Sequence, residues 1–340
     1  MRTLLYPEYE RLEIAAFPKP TVARNEVLLR VAAVGICGSE LEAFKSKSPR
    51  RVPPLIMGHE FCGIIDEVGE DTQSFAIGDQ VVSHSLFGCG LCVRCARGDS
   101  HLCANRQLFG MNRAGAFAEY VNAPEHCLIP WPKRLAAEAA SLAEPLANGV
   151  HVVGLTRQIE PAIVAIIGAG PIGLLCQQAF QCLSSADVII ADLIPERLSA
   201  ASQLGAKHIV DSRDGDFVKA ILSLTDGEGV DVVVDAVGSE LSKNQSLAAT
   251  RPGGTAVWIG LHENSVTVKS HEVTLSERRV QGSYAASMTE LKTAVELLAS
   301  GRVQWANWIK TFPLVEGVEA FHAMLAARGN DIKAVLIPEE

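Results

Sequence analysis

Residues 88–103 read GCGLCVRCARGDSHLC and place Cys89, Cys92, Cys95 and Cys103 at intervals of two, two and seven intervening residues. Four thiolates from one short lobe satisfy a tetrahedral Zn²⁺ and leave no open position, the pattern of a structural metal. An iron site or a disulfide cluster would draw on the same residue types. The lobe has few apolar residues of its own, so a metal would supply much of its folding energy. Further on, Gly168-Ala169-Gly170-Pro171-Ile172-Gly173 has the spacing G-x-G-x-x-G. Gly168 permits a tight turn, Gly170 lets a pyrophosphate approach the backbone, and Gly173 lets the next helix pack closely on the preceding strand. Pro171 and Ile172 lie at the turn, where a helix N-terminus would face the phosphates. Asp192 follows Gly173 by 19 residues, the distance at which an acid hydrogen-bonds an adenosine ribose. Arg197 comes five residues after Asp192. It suits a solvated helix face, or a group that covers the adenine or reaches a 2′-phosphate.

Other candidates stand singly. Cys37-Gly38-Ser39 pairs a soft ligand with a hydroxyl, although a free cysteine is most often a buried structural thiol. His59 and Glu60 are adjacent polar groups between apolar flanks; alone, His59 reads as a buried histidine as readily as a ligand. Glu144, before Pro145 in an apolar setting, is either a capping carboxylate or a further metal ligand.

The elements that must position these residues differ between the two halves of the chain. Residues 160–284 alternate short apolar strands with amphipathic helices, with strands expected at Ile163–Ile167, Val188–Ala191, Ile209–Val210, Val230–Asp235 and Thr255–Ile259. That alternation predicts a parallel, doubly wound α/β sheet. Val280–Tyr284 reads as one more strand, an edge open to subunit pairing or capped. The N-terminal part has short strands joined by Gly turns, such as Glu26–Gly35 and Gly63–Val68, which suggests a β-barrel-like fold. A strand is expected at Ala116–Val121, helical pattern from Lys133 onward, helices at Met288–Ser300 and Leu314–Arg328, and a last strand at Lys333–Pro338.

At 340 residues two domains are expected. Hydrophobic residues make up 48% and charged ones 20%, enough for a large core. The net charge of −9 argues against a nucleic-acid or anionic-membrane partner. Acids stand in the N-terminal MRTLLYPEYERLE where a signal peptide needs an apolar core, so a cytoplasmic protein is expected. Nine cysteines, an odd number with four in one cluster, favour metal over disulfides.

Taken together, Cys37-Gly38-Ser39, Gly58-His59-Glu60, the four-cysteine lobe, Glu144-Pro145-Leu146 and the glycine motif with Asp192 resemble the zinc-dependent medium-chain alcohol dehydrogenases over essentially the whole chain. The polyol (sorbitol-type) and threonine-type branches are the most similar. The resemblance implies a GroES-like β-rich catalytic domain over residues 1–148, with the structural zinc lobe at 88–104. It also implies an inserted NAD-binding Rossmann domain over 149–284, and a segment over 285–340 that returns to the catalytic domain. It implies that Cys37 and His59 bind a catalytic zinc, that Glu60 lies beside it, and that Glu144 supplies a further carboxylate directly or through water. Two Zn²⁺ per chain, one catalytic and one structural, NAD, and a homodimer or homotetramer follow from the same likeness. Ser39 matches the hydroxyl that passes the alcohol proton outward. The implied reaction moves a hydride between NAD(H) and a secondary alcohol of a polyol or sugar alcohol. The alternatives within the family are a sugar-alcohol phosphate and an amino alcohol such as threonine. Three positions depart from the family: Glu40 where Asp is usual, Glu42 where a proton-relaying His is common, and Ala116 where a second Gly is common.

Two other classes fit less well. In a nucleotide-binding regulator the cysteine lobe would touch nucleic acid, yet it carries only Arg94 and Arg97 against Asp99. A zinc-less quinone reductase would not need Cys37, His59 and Glu144 together.

Overall fold

The computed structural model describes the chain except for residues 214–215, 327–328, 330 and 339–340. The chain divides into two compact units: Met1–Glu144 with Ala286–Glu340, and Pro145–Ala285. The fold is mixed α/β, a β-rich unit and a unit built on a parallel sheet.

The first unit is built around a seven-stranded sheet. Its order is Leu128–Pro130, Gln80–Ser83, Glu60–Val68, Glu26–Gly35, Lys333–Ile337 and Ile309–Pro313, with Tyr120–Pro124 also on Glu26–Gly35. Glu26–Gly35 is ten residues long and shifts register twice against Glu60–Val68. Such bulges bend a strand and raise its twist, which lets one strand serve several neighbours. Its first half pairs with Tyr120–Pro124 and its last two residues with Val335 and Leu336. The C-terminal strand therefore sits beside the end of the strand that delivers Cys37. Tyr6, Phe44, Phe61, Phe109, Phe117 and Phe321 fill the core beneath.

The expected strand at Ala116–Val121 forms only from Tyr120. Its first residues instead bond an irregular segment, Ala116 N to Gly58 O and Phe117 N to Met57 O. Ala118 makes a single antiparallel bridge to Thr3, and no continuous ladder runs through these residues. The helical pattern after Pro132 begins at Ala137, as Ala137–Ser141 and then Ala143–Thr156. The expected helix Leu314–Arg328 is a 3-10 turn at Leu314–Glu316 followed by Gly317–Ala326, and its last two residues lie outside the described ones.

The second unit holds a six-stranded sheet with every pairing parallel. Its order is His208–Asp211, Asp187–Asp192, Ile163–Ile167, Val230–Asp235, Thr250–Trp258 and Arg279–Gly282. In chain order this is 3-2-1-4-5-6, the doubly wound dinucleotide arrangement, in which ligands bind outside the carboxyl ends of the strands. Val164, Ala165 and Ile166 are fully buried, as a strand covered on both faces requires. Among the described residues no helix is long and apolar enough to cross a membrane.

Candidate metal and nucleotide sites

Cys37 follows the strand Glu26–Gly35 and caps the helix Gly38–Ser46. Its Sγ accepts from Ser39 N at 3.5 Å and Ser39 Oγ at 3.3 Å. Arg51, buried, donates to Ser39 through Nη1 to the carbonyl at 2.9 Å and Nη2 to Oγ at 3.2 Å. His59 precedes the strand Glu60–Val68, and its Nδ1 lies 2.9 Å from Glu40 Oε1. Glu40 is fully buried and also accepts from Gly58 N at 2.7 Å and Cys37 N at 3.0 Å. A carboxylate on Nδ1 fixes that nitrogen as the donor and leaves Nε2 for a metal. Burial would push the His59 pKa down, but Glu40 and Cys37 outweigh it and hold His59 well above its ordinary value.

The ligand atoms of Cys37, His59 and Glu60 all lie within 4.8 Å of one another. Glu60 is 2% exposed and is ion-paired with Lys333. Glu144 is not in that group. It sits in the first turn of the helix Ala143–Thr156, where its Oε1 accepts from Ser85 Oγ at 2.5 Å. Burial, with the Glu60 charge nearby, raises its carboxyl above the usual range.

In the lobe, Cys92 Sγ lies 3.6 Å from Cys95 Sγ and 3.7 Å from Cys103 Sγ, and all four cysteine sulfurs fall within 4.8 Å. Tetrahedral zinc with Zn–S of about 2.3 Å sets sulfurs about 3.8 Å apart, so the donor set fits. The Cys95 backbone N–H pulls the Cys92 thiol down to about 6, toward the thiolate a metal needs. Cys95 is instead pushed up to about 11, by burial first. Gly88 makes room: a Cβ there would lie 2.5 Å from Cys95 Sγ.

In the second unit Gly168 has φ of 99°, the left-handed region that favours glycine. A Cβ on Gly173 would strike Gly168 O. Around Gly170 the nearest atom to a Cβ would be Arg197 Nη1, at 3.9 Å, which leaves space for a phosphate. The helix Pro171–Leu183 opens there with Pro171 in its first turn and Ile172 half-buried beside it. Asp192 ends the second strand. Its Oδ2 accepts from Ala169 N at 2.6 Å and its Oδ1 from Ile194 N at 2.9 Å, and each oxygen keeps a lone pair for a ribose hydroxyl. Arg197 is half-buried beside the glycine turn, and its Nε has no partner. This is not a solvated helix face.

Glu40, Arg51, Ser85 and Lys333 were not among the candidate site residues. The sequence signal for Glu40 was its place after Ser39, one methylene longer than the family's aspartate. For Lys333 it was a charge opening an otherwise apolar strand.

The alcohol dehydrogenase GroES-like domain model matches residues 23–133 and the zinc-binding dehydrogenase model residues 171–300. D-arabitol-phosphate dehydrogenase of Enterococcus avium is 34% identical, with 98% of this chain and 96% of that one covered. L-threonine 3-dehydrogenase of Bacillus subtilis is 34% identical over 94% of this chain and 93% of its own. Sorbitol dehydrogenase of Bacillus subtilis is 30% identical over 99% and 97%. A zinc-binding dehydrogenase of Sinorhizobium meliloti, solved bound to NADP, superposes with a TM-score of 0.91 at 30% identity, over 99% of both chains. The chain therefore belongs to the zinc-dependent medium-chain alcohol dehydrogenases. It is an oxidoreductase that uses zinc and a nicotinamide cofactor on an alcohol.

Proposed function

We propose that the protein is an NAD-dependent dehydrogenase of a secondary alcohol in a polyol chain, with a catalytic zinc at Cys37, His59 and a carboxylate from Glu60 or Glu144 and a structural zinc at Cys89, Cys92, Cys95 and Cys103. The observation that carries the reading is the convergence of Cys37 and His59, with Glu40 on Nδ1 leaving Nε2 toward the metal position. When bound, zinc supplies a Lewis acid that makes the alcohol more acidic, and nicotinamide accepts the hydride.

The chain's own groups do the rest. Cys37 and His59 are two donors on neighbouring strand ends. Glu60 lies beside them, and Glu144 is aimed by Ser85. The Ser39 hydroxyl, held by Arg51, is the first acceptor of the alcohol proton. Glu42, in place of a relaying histidine, leaves the onward path to water. In the other unit Gly168, Gly170 and Gly173 seat the pyrophosphate against the helix that opens at Pro171 and Ile172. Arg197 lies beside it and Asp192 takes the ribose hydroxyls. An odd number of cysteines, four of them gathered for a metal, suits a reducing, cytoplasmic setting.

Both sorbitol and arabitol phosphate are polyols or their phosphates, and this supports a polyol chain as the reacting partner. The test is a panel of polyols, polyol phosphates and threonine, with NADH formation as the readout. We expect the highest kcat/KM for a polyol. A threonine-only response would reassign the substrate to an amino alcohol, and a response only to phosphates would add an anion to what the pocket must read.

A further inference from the structure

Asp235 ends the strand Val230–Asp235, the fourth of the parallel sheet, and is fully buried. Its Oδ1 accepts from Val237 N at 3.0 Å and from Gly238 N at 2.9 Å. Its carbonyl accepts from Ile259 N at 3.1 Å and Gly260 N at 2.9 Å, just past the fifth strand, Thr250–Trp258. The next residue, Ala236, donates from N to Ile167 O at 3.0 Å, at the end of the first strand. Asp235 and Ala236 thus tie together the carboxyl ends of three neighbouring strands. The backbones gathered there touch. A Cβ on Gly238, whose φ is 85°, would lie 2.2 Å from Gly260 C, and one on Gly260 would lie 2.3 Å from Gly238 N. Val237 is 41% exposed, and its Cγ2 would lie 2.9 Å from a Cβ on Gly168.

We propose that Asp235 is a positioning residue for the nicotinamide half of the cofactor: through Oδ1 it sets the Val237–Gly238 loop against which that half lies. This rests on the dinucleotide site described above and not on the choice of alcohol. In the strand order 3-2-1-4-5-6 a dinucleotide crosses the crevice where the order reverses, between the first and fourth strands. The glycine turn and Asp192 mark the half on strands one to three, which takes the adenylate. The other half must lie over the ends of strands four and five, where Val237, Gly238 and Gly260 come together. A carboxyl is costly in this place, because burial raises it above the usual carboxylate range. What it provides is an acceptor for two N–H groups of the loop, as Asp side chains do in turns. Oδ2 has no hydrogen-bond partner among the described residues, so the side chain acts through Oδ1 alone. No spacing marks this acid in the sequence, where it only closes an apolar strand.

The test compares wild type with Asp235→Ala, Asp235→Asn and Asp235→Ser, and with Asp192→Ala as the control for the other half. Calorimetry reads the Kd of NAD and the Kd of AMP, which fills the adenylate half alone. In Asp235→Ala we expect NAD to bind on the order of tenfold more weakly, the upper range of one hydrogen bond, and AMP to bind as in wild type. Asp192→Ala should weaken both. Asp235→Asn keeps the accepting oxygen and should bind both ligands as wild type does. Asp235→Ala that binds NAD as tightly as wild type overturns the proposal. Equal weakening of NAD and AMP overturns it too, since that marks a general loss of structure. So does Asp235→Asn as weak as Asp235→Ala, because the charge and not Oδ1 would then matter. Should Asp235→Ala fail to fold, Asp235→Ser, whose hydroxyl makes the same turn more weakly, decides by the same two constants. If wild type prefers NADP, NADP and adenosine 2′,5′-bisphosphate take the places of NAD and AMP. Wild type that binds neither dinucleotide would refute the dinucleotide site itself, a separate failure.

Discussion

Asp192 is the residue on which cofactor choice turns. A hydrogen bond to a charged group contributes roughly 1.5–3 kcal/mol, and the same carboxylate repels a 2′-phosphate. At tenfold per about 1.4 kcal/mol, NAD should be preferred over NADP by on the order of tenfold or more. Arg197, whose Nη1 stands beside Gly170, is the charge that would favour a 2′-phosphate instead. The measurement is kcat/KM for both cofactors in wild type and Asp192→Ala. Equal values in wild type, or a ratio that the substitution leaves alone, would move discrimination elsewhere. At this scale the sequence shows ligands that come with a spacing. The four cysteines and the glycine turn declare themselves because each site is local. Ser85 and Lys333 do not, because their partners Glu144 and Glu60 lie 59 and 273 residues away.

At the scale of elements, one carboxylate staples the central strands of the nucleotide unit. Asp231, on Val230–Asp235, accepts from Ala162 N at 2.9 Å and Ile163 N at 3.0 Å, and from Arg251 Nε at 2.7 Å. Burial would raise its pKa, but these donors outweigh burial and hold it below the usual carboxylate value. A depressed acid contributes stability that is present above its unfolded pKa, about 3.9, and is lost as pH falls through the folded value. Asp231→Asn should therefore cost about 1.5–3 kcal/mol at pH 7. The gap from wild type should close in acid below pH about 4. Urea unfolding at several pH values checks it, and a gap independent of pH would mean the carboxylate charge is irrelevant. The central strands of this unit were legible because each is a continuous apolar run buried on both faces. The barrel-like unit was less so: Ala116–Ala118 is apolar and buried yet pairs only through the single bridge of Ala118 to Thr3, a placement that composition cannot distinguish from a strand.

Across the whole molecule, stoichiometry is the prediction. Each 36.3 kDa chain should carry two zinc ions, and Cys37→Ser should carry one while keeping its fold. Cys103→Ser should instead lose solubility or stability. A single zinc in fully active protein would remove one of the two sites. Among the described residues the edge strand Arg279–Gly282 pairs only with Thr250–Trp258, and Val280 on it is 44% exposed, so an oligomer is expected. Light scattering that finds one chain per particle at micromolar concentration would argue otherwise. The first unit also has a consequence for biosynthesis. Its sheet needs Glu26–Gly35 from early in the chain and Lys333–Ile337 from late in it, while Pro145–Ala285 is continuous. On the ribosome, where domains fold as they emerge, the nucleotide unit has all its strands before the metal-binding unit has its own. A nascent chain stalled between Ala286 and Lys333 would hold Cys37, His59 and Glu60 without the lysine. Such a chain lacks the strand that pairs with the end of Glu26–Gly35, so the metal-binding unit is the last to close.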